Sequence, residues 1–212
     1  MLSETEHESI ASAIKAAEAR TSGEIHCVVC GRSDPYFMAA AFVLSCVALM
    51  LGTALAWIFH LLWIDIGTAT FVTALFCAWL LSMLLIWQVP SLRLRFVAKA
   101  VRYRRAHAQA VQQFLAHNIH ATEGRTGVLI FVSLDEHYAE IIADHGIAEK
   151  IEQQEWNSIV GIITKGAAAN KLAGALAEAV TEAGALLAAH YPPVPGDRNE
   201  IPDRVVEIHS VP

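Results

Sequence analysis

Charge is scarce in this 212-residue sequence, and the scarcity is local. Asp, Glu, Lys and Arg make up 17% of the chain, where a soluble domain carries about 25%. Residues 36–60 contain none of the four, residues 66–89 contain none, and Asp65 is the one formal charge between Asp34 and Arg93. Two such stretches exclude a purely water-soluble globule. A hydrophobic content of 55% and a mean hydropathy of +0.42 exclude a disordered chain. Four cysteines are too few for a disulfide-rich secreted miniprotein. The sequence also has no Walker phosphate loop, no Gly-x-Ser-x-Gly and no His-Glu-x-x-His, so three widespread catalytic signatures are missing.

The uncharged stretches read as a transmembrane hairpin, with spans at about 36–60 and 66–89. Each has the roughly 20 apolar residues that a bilayer core requires. The first span begins far from Met1 and lacks a basic start, which argues against a signal peptide. The connection from His60 to Asp65 has no Lys or Arg, and Trp57, Trp63 and Trp87 stand where interface anchors belong. Basic residues flank the outer ends: Arg20 and Arg32 before, and Arg93, Arg95, Lys99, Arg102, Arg104 and Arg105 after. The positive-inside rule therefore predicts two spans with both termini cytoplasmic. With no ionisable side chain in mid-span, ion conduction is disfavoured, and Ser45, Thr53, Ser82 and Gly52 read as helix-packing residues.

The net charge of −6 is unevenly spread: −3 over residues 1–37, +6 over 90–125 and −8 over 126–212. A basic run suggests nucleic acid at first sight. Its position directly after an apolar span predicts instead a collar at the membrane surface, facing anionic lipid, and no nucleic-acid partner.

Outside the spans, Ser3 and Glu6 have capping-box spacing ahead of Ile10, Ala13, Ile14 and Ala17 at helical intervals. Glu24–Cys30, Gly127–Ser133 and Tyr138–Ala143 read as strands, the last two joined by a tight turn at Asp135–Tyr138. Helices are expected over 92–118, 147–165 and 167–190, and Arg204–Ile208 is a candidate edge strand. The fold class predicted is α/β: a small mixed sheet with helices on its faces, interrupted by the transmembrane hairpin. One helix and one strand in residues 1–34 cannot bury a core. Residues 1–34 and 91–190 are therefore expected to form one discontinuous cytoplasmic domain around the hairpin of 36–89, with a Pro-rich tail over 191–212.

A crossover from the first to the second strand predicts that they run parallel. One end of the sheet then collects Glu24, Arg125, Thr126 and Asp144. An Arg with a helix N-terminus suits an anion, and paired carboxylates suit Mg²⁺ or Ca²⁺. The structural alternative is an Arg125–carboxylate bridge, with Asp144 capping the next helix. The other end collects Asp34, Asp135, Glu136 and His137, at the carboxyl ends of the parallel strands where α/β sheets bind ligands. Its alternative is ordinary turn chemistry, and its closeness in sequence to the first span predicts a position near the headgroups. A two-residue turn would pair Asp144 near Leu129, roughly 17 Å from Asp135 at about 3.4 Å per residue, too far to share an ion. Cys27 and Cys30, three apart on a strand, should face opposite sides and so form no metal pair.

Thr21–Ile25, Arg125–Ser133, Tyr138–Ile147, Trp156 and Asn199–Asp203 together resemble the TPM domain family, in its bacterial integral-membrane branch. The family takes its name from thylakoid-lumen, photosystem II repair and receptor-modulating members. The resemblance implies an α/β sandwich with a small sheet. It also implies a proposed acid-phosphatase activity, sometimes with a divalent cation on acidic residues, while other members act as assembly or quality-control factors. Many members carry a secretory signal, which this sequence lacks. Two functions follow as expectations: an interaction, assembly or quality-control module on the cytoplasmic face of a bacterial inner membrane, or a metal-assisted phosphomonoester hydrolase. Lipid, membrane-protein partners and a second copy of the chain are the expected partners.

Overall fold

The computed structural model describes residues 2–122, 124–148, 150–194 and 199–209. The chain divides into two compact units, residues 1–34 with 103–212 and residues 35–102.

The first unit is built on a mixed four-stranded sheet of order β3-β2-β1-β4. Strands β1 (Glu24–Cys30) and β2 (Gly127–Ser133) are buried along their whole length. They pair in parallel from Glu24↔Gly127 to Cys30↔Ser133. Continuous apolar sequence suits strands covered on both faces. β3 (Tyr138–Ala143) runs antiparallel to β2, and β4 (Val205–Ile208) runs parallel to β1. The expected α/β architecture is therefore present, with the candidate edge strand in place.

Helices cover both faces. α1 (Glu4–Glu18) opens with the Ser3–Glu6 capping box. Together with α7 (Gln153–Ala168) and α8 (Leu172–His190) it covers the face that carries Ile25, Cys27, Val29, Val128 and Ile130. α1 and α8 approach closely at Gly184, where an added Cβ would lie 2.5 Å from that of Ala17. On the opposite face, Ala110 and Phe114 of α5 (Lys99–Ala116) pack with Val28, Cys30, Leu129 and Phe131. Cys27 and Cys30 thus point to opposite sides, as alternation along a strand requires.

Three helix boundaries differ from expectation. The helix over 92–118 is interrupted: α4 (Pro90–Arg93) and a 3-10 turn (Leu94–Phe96) precede α5, because Val97 takes an extended conformation with its side chain buried. The segment from 147 is split between α6 (His145–Ala148) and α7, since Glu152 is extended and forms a capping box with Glu155. Asn170, in the left-handed region, separates α7 from α8. The β2–β3 turn also differs. It holds four residues, Leu134–His137, closed by the His137 amide on the Leu134 carbonyl (3.1 Å) with His137 left-handed. The register therefore shifts, and Asp144 lies beside Gly127 rather than Leu129, its amide donating to the Gly127 carbonyl at 2.9 Å.

The second unit contains α2 (Phe37–Leu61) and α3 (Thr68–Gln88). The Trp79 indole donates to the Ser45 hydroxyl at 2.9 Å, and Phe59 meets Phe71 edge to face. Among the described residues three helices are long and apolar enough to cross a membrane: α2, α3 and α8. Only 6% of the apolar window of α2 or α3 is buried, against 44% for α8.

His26 is a polar intrusion in the core. It is 1% exposed, neither ring nitrogen has a hydrogen-bond partner among the described residues, and its ring centre lies 4.5 Å from that of His117. Burial, then the positive charges of His117 and Arg204, push its pKa down from 6.5 to about 4. The unfolded chain therefore takes up this proton before the folded one. Stability from a neutral His26 is complete above about pH 6.5 and is lost as pH falls through about 4. Thermal unfolding of the detergent-solubilised chain should show a midpoint that drops across that window, and His26→Phe should flatten the drop.

Candidate functional site

The strand starts gather the first predicted set, but each side chain has its own local partner. Glu24, paired with Gly127, accepts the backbone N–H groups of Glu200 (3.2 Å) and Ile201 (3.3 Å), which ties the segment before β4 to the sheet. The Thr126 hydroxyl donates to the Ser22 carbonyl at 2.9 Å. Asp144 begins α6: its carbonyl accepts the amides of Ile147 and Ala148, and its Oδ1 accepts that of His145 at 2.6 Å. Asp144 Oδ2 is buried without a hydrogen-bond partner among the described residues. Arg125 is exposed in a left-handed conformation and forms no ion pair among them. Asp144 has the expected helix-start role, and no Arg125–carboxylate bridge occurs among the described residues.

The same end of the sheet also presents a constellation that sequence reasoning missed. Glu18, Glu24, Asn199 and Asp203 line an open cavity of about 350 Å³ with Lys15 and Thr21. Glu18 Oε1 accepts the Ile25 amide at 2.8 Å, and the Asn199 amide reaches both Glu18 Oε2 (3.4 Å) and Asp203. Burial raises the Glu18 pKa from 4.5 to about 9 against the opposing Ile25 N–H, with further upward contributions from Asp203 and Glu24. Glu18 is thus a protonated acid at neutral pH. Oxygen donors of this kind suit a hard cation. Their arrangement does not: among the described residues no three His, Cys, Asp or Glu side chains are placed to hold one ion, and Glu24 is turned to backbone amides. Among the described residues, this cavity does not bring together a ligand set for a divalent cation.

The second predicted set lies at the other end of the sheet and is drawn together as a clamp. Arg32 grips Asp135 Oδ2 through two nitrogens, each at 2.7 Å. Arg105 pairs with Asp34 at 3.4 Å. Glu136, 2% exposed, accepts the Ser33 amide (2.9 Å) and the Ser133 hydroxyl, and the two serine hydroxyls meet at 2.7 Å. The clamp joins the segment after β1 to the β2–β3 turn. His137 sets the turn and borders a mostly apolar cavity of about 300 Å³ with Tyr138, Ile163 and Ala167. His107 is 2.9 Å from Glu140, and the Tyr138 hydroxyl donates to the same carboxylate.

Residues 92–186 match the family model described as the TPM domain. This stretch of the chain carries a TPM domain. The matched stretch covers α5 to most of α8, so it includes Arg125, Asp135, Glu136 and Asp144 but leaves out Glu18, Glu24 and Asp203. Among solved structures, the chain is similar to the NMR structure of the BA42 protein from the psychrophilic bacterium Bizionia argentinensis. The two are 18% identical, with a TM-score of 0.60 over 98% of this chain and 95% of that one. At that identity the likeness concerns the fold. No curated protein matches the chain.

The basic residues that follow α3 differ in environment. Arg93 donates to the Ile86 (2.8 Å), Trp87 (3.0 Å) and Pro35 (3.3 Å) carbonyls and lies 5.4 Å from the Phe37 ring centre. It thereby caps the C-terminus of α3, a favourable place for a cation. Arg102 is half-buried, with a buried Nε that lacks a hydrogen-bond partner among the described residues. Arg95, Lys99 and Arg104 are exposed, and Arg105 holds Asp34.

The Glu18 proton has a measurable consequence. Its folded pKa of about 9 lies above the ordinary 4.5, so the folded chain keeps a proton that the unfolded chain releases. The stability linked to it is complete below about pH 4.5 and is lost as pH rises through about 9. Glu18→Gln, which retains an acceptor for the Ile25 amide, should reduce the alkaline decline in thermal midpoint. An unchanged pH profile would show that Glu18 is ionised in the folded chain.

Proposed function

We propose that the protein is a membrane-anchored TPM domain acting as an interaction, assembly or quality-control module on the cytoplasmic face of a bacterial inner membrane. The carrying observation is the pair of helices α2 and α3, whose apolar windows stay almost wholly unburied. Exposed apolar surface on that scale requires lipid or another protein to cover it. α8 also has the length and composition of a span, but its apolar face lies in the core of the sheet domain, which favours α2 and α3 as the spans. The basic residues after α3 and their absence from the α2–α3 connection favour cytoplasmic termini.

The polar groups at the sheet ends support a scaffold role. Glu24, Thr126 and Glu136 bind the chain's own backbone or hydroxyl groups, and Asp135 binds Arg32. These contacts position the loops that a partner would read. A reporter fused after Pro212 should read as cytoplasmic, and the full chain purified in mild detergent should retain a defined partner or a second copy. A periplasmic reporter overturns the topology, and a partner-free monomer overturns the module.

The second reading is the metal-assisted phosphomonoester hydrolase, favoured by one observation, the buried Asp144 Oδ2 without a hydrogen-bond partner among the described residues, at the sheet end that also carries exposed Arg125. It predicts hydrolysis of a generic phosphomonoester by the purified chain in Mg²⁺ or Ca²⁺, lost in Asp144→Asn with the fold intact by circular dichroism. Activity that survives this substitution, or none with either ion, overturns it.

A further inference from the structure

The unit of residues 35–102 is electrically polar. Its four formal cations, Arg93, Arg95, Lys99 and Arg102, fall within ten residues of one another after α3, and its one acidic residue, Asp65, lies in the connection between α2 and α3. No Asp or Glu occurs anywhere between Ile66 and Thr122. The four cations do not have the same role. Arg93 is committed to the helix pair, with donors on the carbonyls of Ile86, Trp87 and Pro35. The 3-10 turn that carries Arg95 packs back on α2. It presents Arg95 to solvent while Leu94 and Phe96 are half-buried. Lys99 is exposed where α5 begins. Arg102 has a buried Nε–H with no acceptor among the described residues, although the Tyr36 hydroxyl reaches its backbone carbonyl at 3.5 Å. A buried charged donor without an acceptor is costly, and a phosphate oxygen is the acceptor for which a guanidinium is best shaped.

We propose that this end of the hairpin binds the phosphate of anionic phospholipid headgroups, with Arg95 and Lys99 at the surface and Arg102 completing the site. The inference rests on the membrane-anchored reading and adds a lipid class to it. Two features select lipid over a soluble anion. The cations follow directly from an apolar helix pair, and Arg93 secures their segment to the ends of both helices. Selection of anionic over zwitterionic lipid follows because a choline headgroup brings its own cation, which exposed Arg95 and a stretch free of Asp and Glu from Ile66 to Thr122 disfavour. Arg93 is a helix latch in this scheme and does not bind headgroups.

Delipidated full chain in detergent, titrated with phosphatidylglycerol or phosphatidylcholine and read by native mass spectrometry, tests the inference. Phosphatidylglycerol should be retained in preference, the preference shrinking as salt rises. Arg95→Gln and Arg102→Gln should each weaken its retention roughly fivefold, from about 1 kcal/mol per basic residue at an anionic surface, and leave phosphatidylcholine unchanged. Because Arg95 is exposed, its variant should fold even if the Arg102 variant does not. Equal retention of the two lipids, an unchanged preference in Arg95→Gln, or full displacement by inorganic phosphate overturns the proposal. Failure of the chain to remain in vesicles after alkaline extraction overturns the anchor reading instead.

Discussion

The parallel pairing of β1 with β2 is the contact on which the rest depends. The two strands lie about a hundred residues apart, and each is buried along its whole length. Neither stretch can form a core alone: residues 1–34 bring one amphipathic helix and one strand, while β2 and β3 make only a hairpin. Once Glu24 is opposite Gly127 and Cys30 opposite Ser133, the outer positions follow. β3 folds back on β2, β4 adds to β1, and helices close over both faces. The apolar helix pair is then part of a crossover connection. That arrangement is sterically permitted because a helical hairpin begins and ends close together, as a tolerated insertion must.

The same pairing determines where polar groups can collect. At the strand starts it brings Glu24 to the backbone amides of Glu200 and Ile201, and Glu18 to Asn199 and Asp203. At the strand ends it brings Ser33 to Ser133 and Glu136. Both groups are joints between remote pieces of chain. A buried carboxylate on backbone amides fixes geometry well. It is also poorly disposed to bind anything else, which favours a recognition surface over a reaction centre.

Much of this was legible in the residues, for identifiable reasons. β1, β2 and β3 begin and end where their apolar runs do, because nothing within those runs competes with a buried strand. The Ser3–Glu6 capping box and the opposed Cys27 and Cys30 follow from local rules. What escaped was tertiary or conformational. The β2–β3 register depends on His137 taking a left-handed conformation, which a non-glycine residue does not announce. Glu18 and Asp203 stand at opposite ends of the chain and meet only because β4 pairs with β1. Position alone makes Arg93, Arg95 and Arg102 equivalent members of a basic run. The carbonyls of Ile86 and Trp87 separate Arg93 from the others, and a bare helix end has no signature in sequence.

The interrupted connectivity also imposes an order in time. A ribosome that has just made β1 must synthesise both apolar helices and α5 before β2 exists. At about 5–20 residues per second that is a delay of roughly 5–20 s. Throughout it, the seven-residue strand Glu24-Ile-His-Cys-Val-Val-Cys30 waits without the neighbour that buries it. On the proposed anchor reading the helix pair meets the insertion machinery first, so β1 would already be tethered when its partner appears. An anchor in the middle of the domain, rather than at one end, would make membrane insertion an early step in folding the sheet.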